Sequence, residues 1–331
     1  MLPRSNAQPA SPVSSGALFV LACVWVAVSL AGGRLTGTLA PTLWFDVVRQ
    51  AVAVALLFCG FYGMAKLGVH DLRPLSSLGF VKRPTASEEL GRGAALGWGI
   101  ALVLVAPAVL VGATTLRTDF STATLMHLLL GITNLVLCAL VIQLVLSGLP
   151  VRLLVRTAGQ AWTFLSVLLV TVLLALFLLP WQGTGLLFVL LAAFLFLWAF
   201  LRTRAIWFPL GLQIGWTVAL QLLFGASSPY TPLASGPVIS DPSGPRWLTG
   251  GFLGPEASSL AVLVLLIASA ILYRLTRTYA WHYTYQPPAA AGFPMEVKPP
   301  AAHEAQQQNS VAPLIQIGGV APLPSEPQKL P

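Results

Sequence analysis

The sequence predicts an all-α polytopic membrane protein with about eight transmembrane helices. Three observations predict it. Of 331 residues, 56% are hydrophobic and 8% are charged, and mean hydropathy is +0.81. Soluble domains carry roughly 25% charged residues, so this chain lacks the charge to build a water-facing surface. The apolar residues gather in runs near the ~20 residues that a hydrocarbon core requires. Those runs do not alternate polar with apolar, which excludes a β-barrel and leaves helices, whose backbone groups satisfy one another in lipid.

Eight runs can be placed in order: about 17–31, 47–65, 93–113, 122–149, 160–180, 184–201, 205–225 and 256–273. The first follows a polar tail over residues 1–16 that carries a single charge, Arg4. So weakly basic a leader argues for a retained helix over a secretory signal. The fourth run is long for one span and is expected to tilt. Trp44, Trp98, Trp162, Trp181, Trp207 and Trp247 fall near the predicted ends, where interfacial tryptophans collect. With the N-terminus inside, fourteen of the eighteen Lys and Arg residues fall in inner segments and four (Arg34, Arg49, Arg117 and Arg246) in outer ones. That bias predicts cytoplasmic termini and an even number of spans.

The membrane domain is expected over residues 17–285, with a basic inner loop at 66–92 and an outer loop rich in Gly, Pro and Ser at 226–254. Pro84-Thr85-Ala86-Ser87-Glu88-Glu89 reads as a helix start with a capping signature. Residues 286–331, rich in Pro, Ala and Gln, hold too few large apolar residues to fold alone and read as disordered. No internal repeat is visible. The net charge of +8 is spread, without the dense basic patch that marks a nucleic-acid partner. Cys23, Cys59 and Cys138 lie far apart in apolar runs and read as small hydrophobes.

An ionisable residue within a membrane is costly and marks function by default. All ten acids fall in loops, tails or helix ends, and His127 sits near the outer start of the fourth run. The interior offers Asn134, Gln143, Gln213 and Gln221 with Ser147, Ser166, Thr171 and Thr217. These suit interhelical hydrogen bonds and leave a ligand site as the alternative. Glu88 and Glu89, with Arg92, mimic a catalytic pair, but acids at a helix start are explained by the helix dipole. No metal or cofactor is expected.

Three phrases resemble one family. Thr203-Arg-Ala-Ile-Trp-Phe-Pro-Leu-Gly-Leu-Gln-Ile-Gly-Trp-Thr217 is similar to the last core motif of the CAAX protease and bacteriocin-processing (CPBP, or Abi) family. Ser243-Gly-Pro-Arg-Trp-Leu-Thr-Gly-Gly-Phe-Leu-Gly-Pro-Glu-Ala-Ser258 resembles its stretch before the final helix, and Leu75-Ser-Ser-Leu-Gly-Phe-Val-Lys-Arg83 its phrase before an early one. The resemblance covers about residues 50–275 and implies a bundle like that of the CAAX prenyl protease, in a bacterial cytoplasmic membrane. Family members are intramembrane endopeptidases, often described as metalloproteases. They carry E-E-x-x-x-R, F-x-x-x-H and H-x-x-x-N/D on three helices.

Carried over, the first motif falls on Ile142, Gln143 and Ser147, with Gly148 and Arg152 retained; the second on Phe177 and Trp181; the third on Gln213 and Thr217. Ile, Trp and Gln cannot serve as a base near neutrality. The resemblance therefore implies a pseudoprotease. Gln143, Trp181, Gln213 and Thr217 are expected to line an inherited cavity that takes a membrane-embedded or lipidated peptide or protein. Two alternatives stay open. One is an active endopeptidase with a divergent site built from Glu256, His127 or Glu89. The other is a small-molecule transporter, although few Gly or Pro residues interrupt the later spans.

Overall fold

The computed structural model describes residues 15–68, 74–178, 183–226, 228 and 237–277. The tails at 1–14 and 278–331, which include the segment read as disordered, lie outside the described residues, as does Trp181.

The described residues form an all-α membrane bundle. Long helices run over α1 (Ser15–Gly37), α2 (Phe45–Gly63), α4 (Ala86–Leu110), α5 (Thr122–Ser147), α6 (Leu149–Leu178) and α7 (Gly183–Thr203). A short α3 (Pro74–Ser77) precedes α4. The shorter α8 (Trp207–Val218), one-turn α9 (Arg246–Thr249) and α10 (Ser259–Leu275) complete the set. Five stretches are long and apolar enough to cross a membrane, and one of these, Thr124–Val172, holds both α5 and α6. Large hydrophobics face outward along α1 (Val20, Val24, Val28) and α10 (Leu263, Leu266, Ile267). Contiguous exposed apolar faces of this kind belong in lipid. The chain is therefore a multi-pass integral membrane protein.

Several boundaries differ from the sequence reading. The helix placed at 93–113 starts seven residues earlier, at Ala86, so Trp98 lies halfway along α4 instead of at its end. Thr85 at its start makes no side-chain bond to the helix backbone and instead donates to Glu89 Oε1 at 3.1 Å, so the capping signature is not used as one. The run at 160–180 belongs to a longer α6 broken at Gly159, whose φ of 82° lies in the left-handed region. The predicted spans at 205–225 and 256–273 become the two shorter apolar helices, Trp207–Leu223 and Ser259–Leu275. The all-α expectation has one exception. Thr114–Thr118 (β1) pairs antiparallel with Val238–Pro242 (β2), Thr114 opposite Pro242 and Thr118 opposite Val238. Two segments read as outer loops thus zip together across one end of the bundle. The β-branched run Thr114, Thr115 and Thr118 suits a strand, but pairing across 120 residues leaves no local signature.

α8 is the central helix: residues 208–213 and 215–217 are all buried. Its seam with α4 is the most extensive helix contact in the chain. Gly93 and Gly97 of α4 face Gly211 and Gly215 of α8. A Cβ on Gly97 would stand 2.1 Å from the Leu212 carbonyl oxygen, and one on Gly211 2.1 Å from that of Leu90. The two backbones touch, as paired small-xxx-small motifs allow in membranes. Protein on all sides also explains why α8 is short, since it needs no lipid-matched length of its own.

Replacing Gly97 by Leu should destabilise the protein by about 3 kcal/mol or prevent accumulation, because the obstacle is backbone and cannot yield. Gly99→Leu, two residues on with nothing within 4 Å of its Cβ, should be tolerated. Melting temperatures of the detergent-solubilised variants check this.

Candidate functional site

The α4–α8 seam fixes where the polar residues of α8 can point. Gln213, midway along α8, meets Gln143 of α5: Gln143 Nε2 donates to Gln213 Oε1 at 2.7 Å. Ser147, one turn after Gln143, donates its hydroxyl to Gln143 Oε1 at 3.0 Å. Thr217 Oγ1 turns back onto the Gln213 carbonyl at 2.9 Å. All four residues are buried. Residues 70 positions apart therefore share one hydrogen-bonded chain, Ser147 to Gln143 to Gln213, closed by side chains of the bundle itself.

Of the remaining motif positions, Ile142 lies beside Gln143 on α5, and the Phe177 side chain and Trp181 are outside the described residues. Arg152 is brought to the turn between α7 and α8: its guanidinium donates to the Ser76 carbonyl and, at 3.1 Å, to the Arg204 carbonyl. Asn134 is buried too, and its Oδ1 has no partner among the described residues. Thr171 bonds its own helix at Val167 O, 2.8 Å away.

This arrangement holds protons in place and does not move them. The Ser147 hydroxyl and Gln143 Nε2 each donate to an amide oxygen, and none of these groups ionises near neutrality. In a medium without water such a pair stabilises the contact between two helices by about 1 kcal/mol.

Two buried carboxyls lie elsewhere. Glu89, in the first turn of α4, is fully buried and paired with Arg83 at 3.4 Å, so it is more than the dipole-compensating surface acid expected. Glu88 is the exposed partner of Arg92. Glu256 sits in the 3-10 turn Pro255–Ala257 just before α10, outside the membrane helices, and is also buried. Ser228 donates to its Oε2. Burial pushes the Glu256 carboxyl up to about 7, against smaller opposing effects from Ser228 and the nearby Trp216 indole, which itself makes no hydrogen bond of full geometry. The turn is wedged by Gly250, Gly251 and Gly254, all at positive φ, and Thr184 of α7 donates to the Ala257 carbonyl at 2.7 Å.

The three residues of the divergent-site alternative do not meet. Glu89 lies in the first turn of α4, while Pro255 shares a small pocket with Leu104, Val105 and Ala108 near its far end. At 1.5 Å per residue that separates the two acids by about 24 Å. His127 is exposed on the outer face of α5. Among the described residues no three His, Cys, Asp or Glu side chains are grouped to hold a metal.

No family model, curated protein or solved structure matches this chain.

The Glu256 carboxyl predicts a pH dependence. Folded, it holds its proton more tightly than unfolded, so unfolding between pH 4.5 and about 7 releases a proton. Its stabilising contribution is complete below about pH 4.5 and is lost as pH rises through 7, a change on the order of 3 kcal/mol. Glu256→Gln keeps an acceptor for Ser228 and removes the titration. The variant should therefore melt increasingly above wild type as pH rises from 4.5 to 8.

Proposed function

We propose that this chain is a protein of the bacterial cytoplasmic membrane, built on the eight-helix CPBP scaffold, that has exchanged proteolysis for binding. The observation that carries the reading is the meeting of Gln143, Ser147, Gln213 and Thr217. The resemblance assigned these positions to two separate motifs, on α5 and α8, and in the fold they share one hydrogen-bonded chain. An endopeptidase of this family would keep its general base and its oxyanion-stabilising group there. This chain has a Gln–Gln pair instead.

The orientation proposed has both termini cytoplasmic, as the Lys and Arg bias suggests. Arg83 reaches Thr203, Arg152 reaches Arg204 and Arg202 reaches Thr276, and these contacts among the ends of α4, α6, α7 and α10 support the reading. The partner proposed is a membrane-embedded or lipidated peptide or protein. It would dock against the scaffold without being cut.

The purified, detergent-solubilised protein should leave a panel of prenylated CAAX peptides and transmembrane substrates intact, as should the Gln143→Ala/Gln213→Ala and Glu256→Ala variants. Mass spectrometry of the products reads the outcome. Turnover by wild type that disappears in Glu256→Ala would overturn the reading in favour of a divergent protease site.

A further inference from the structure

The turn from α7 to α8 collects more positive charge than the fold uses. Three segments are knitted around it. Trp207 Nε1 donates to the Val81 carbonyl at 2.9 Å, and the Ile206 amide donates to the Gly79 carbonyl at 3.0 Å, which ties residues 79–83 to residues 203–207. Arg83 Nη1 donates to the Thr203 carbonyl at 2.8 Å. Arg152, at the start of α6, bonds the Arg204 carbonyl from the other side. Lys82, Arg83, Arg152 and Arg204 therefore belong to segments that meet at one turn, Arg156 follows Arg152 by one turn of α6, and Glu89 at the start of α4 pairs with Arg83. The adjacent Glu88 is taken up by Arg92.

These five cations divide by task. Arg83 and Arg152 spend guanidinium donors on backbone carbonyls at the end of α7, where the helix dipole is negative. Their role is structural. Lys82, Arg156 and Arg204 are exposed. Arg204 stands out further, since its φ of +52° makes it the non-glycine residue with positive φ among the described residues. Gly or Asn is the usual choice for such a helix-ending position, so the backbone gives no reason for an arginine. An arginine held there at some conformational cost points to a use for its side chain.

We infer that this turn binds the phosphate headgroup of an anionic phospholipid. The location fits, because the turn joins the ends of two apolar helices and so lies at headgroup depth. The chemistry fits as well: guanidinium groups match phosphate oxygens two at a time, and uncancelled basic clusters at the ends of membrane helices recruit acidic lipids. Trp207 and Phe80, packed edge to face with centroids 5.6 Å apart, supply an apolar aromatic flank at the same turn for the glycerol and upper acyl chain. This inference rests on the membrane fold alone and does not depend on the CPBP reading.

The test titrates the full-length protein in neutral detergent with phosphatidylglycerol, phosphatidylcholine or inorganic phosphate. Melting temperature and native mass spectrometry of bound lipid are the readouts. Phosphatidylglycerol should raise the melting temperature and be retained, while phosphatidylcholine and inorganic phosphate at equal concentration should do neither. The Lys82→Gln/Arg156→Gln/Arg204→Gln variant should lose affinity for phosphatidylglycerol about tenfold or more. It should melt like wild type in phosphatidylcholine. Arg34→Gln/Arg117→Gln/Arg246→Gln, which removes equal charge on α1, β1 and α9, away from the turn, should keep the response. Arg204→Gln alone, the mildest change, should weaken it severalfold. Equal stabilisation by phosphatidylcholine, an unchanged response in the first variant, or equal loss in the second overturns the site. A shift by inorganic phosphate as large as that by the lipid would make it an anion site and overturn the lipid assignment.

Discussion

The backbone contact between α4 and α8 is the constraint on which the rest of the structure depends. Four glycines let the helices approach until carbonyl oxygens fill the space a Cβ would take. Two apolar helices in lipid gain nothing from a hydrophobic effect between them, so close packing must supply the attraction, and small residues make it possible. With α4 against one face and α5 and α7 against the others, α8 is sealed from lipid. Every polar side chain it carries must then find its partner within the bundle. Gln213 finds Gln143, and Thr217 finds its own helix.

The same rule explains how two acids are carried at opposite ends. Glu89 is buried at the end of the bundle where α4 starts and is compensated by the Arg83 guanidinium, which also bonds the end of α7. Glu256 is buried near the other end with a serine hydroxyl and an indole beside it among the described residues, and burial raises its proton affinity. A buried carboxyl without a cation remains neutral sooner than pay for desolvation. Between these ends the membrane interior holds amides and hydroxyls, which can pair helices but cannot act as general bases.

Much of this was legible in the sequence, and what was not has physical causes. Apolar runs located the long helices because a lipid-facing helix must be apolar over its whole length. Interior amides were legible as interhelical partners because burial in lipid leaves them no other choice. The partner of each was not, since composition does not say which helices are neighbours. Only the motif resemblance hinted that residues 143 and 213 belong together. The ribbon between β1 and β2 was missed because strand pairing across 120 residues leaves no local period. The burial of Glu89 was missed because its position in a polar first turn is equally suited to a surface acid, and its partners Arg83 and Thr85 are set by the fold. The early start of α4 was missed because hydropathy marks the lipid-facing part of a helix and not its polar first turns.

Gln143 of α5 and Gln213 of α8 are hydrogen-bonded partners at 2.7 Å, and their pairing joins the two helices. A double-mutant cycle with Gln143→Leu, Gln213→Leu and the pair together, read as unfolding free energy in detergent, tests this most directly. Each single change should cost about 1–3 kcal/mol, because it leaves a buried amide unmatched, and the double change should cost less than the sum, with coupling of about 1 kcal/mol. Strictly additive losses, or stabilisation by either single leucine, would contradict the pairing and with it the coupling of α5 to α8 through these two side chains.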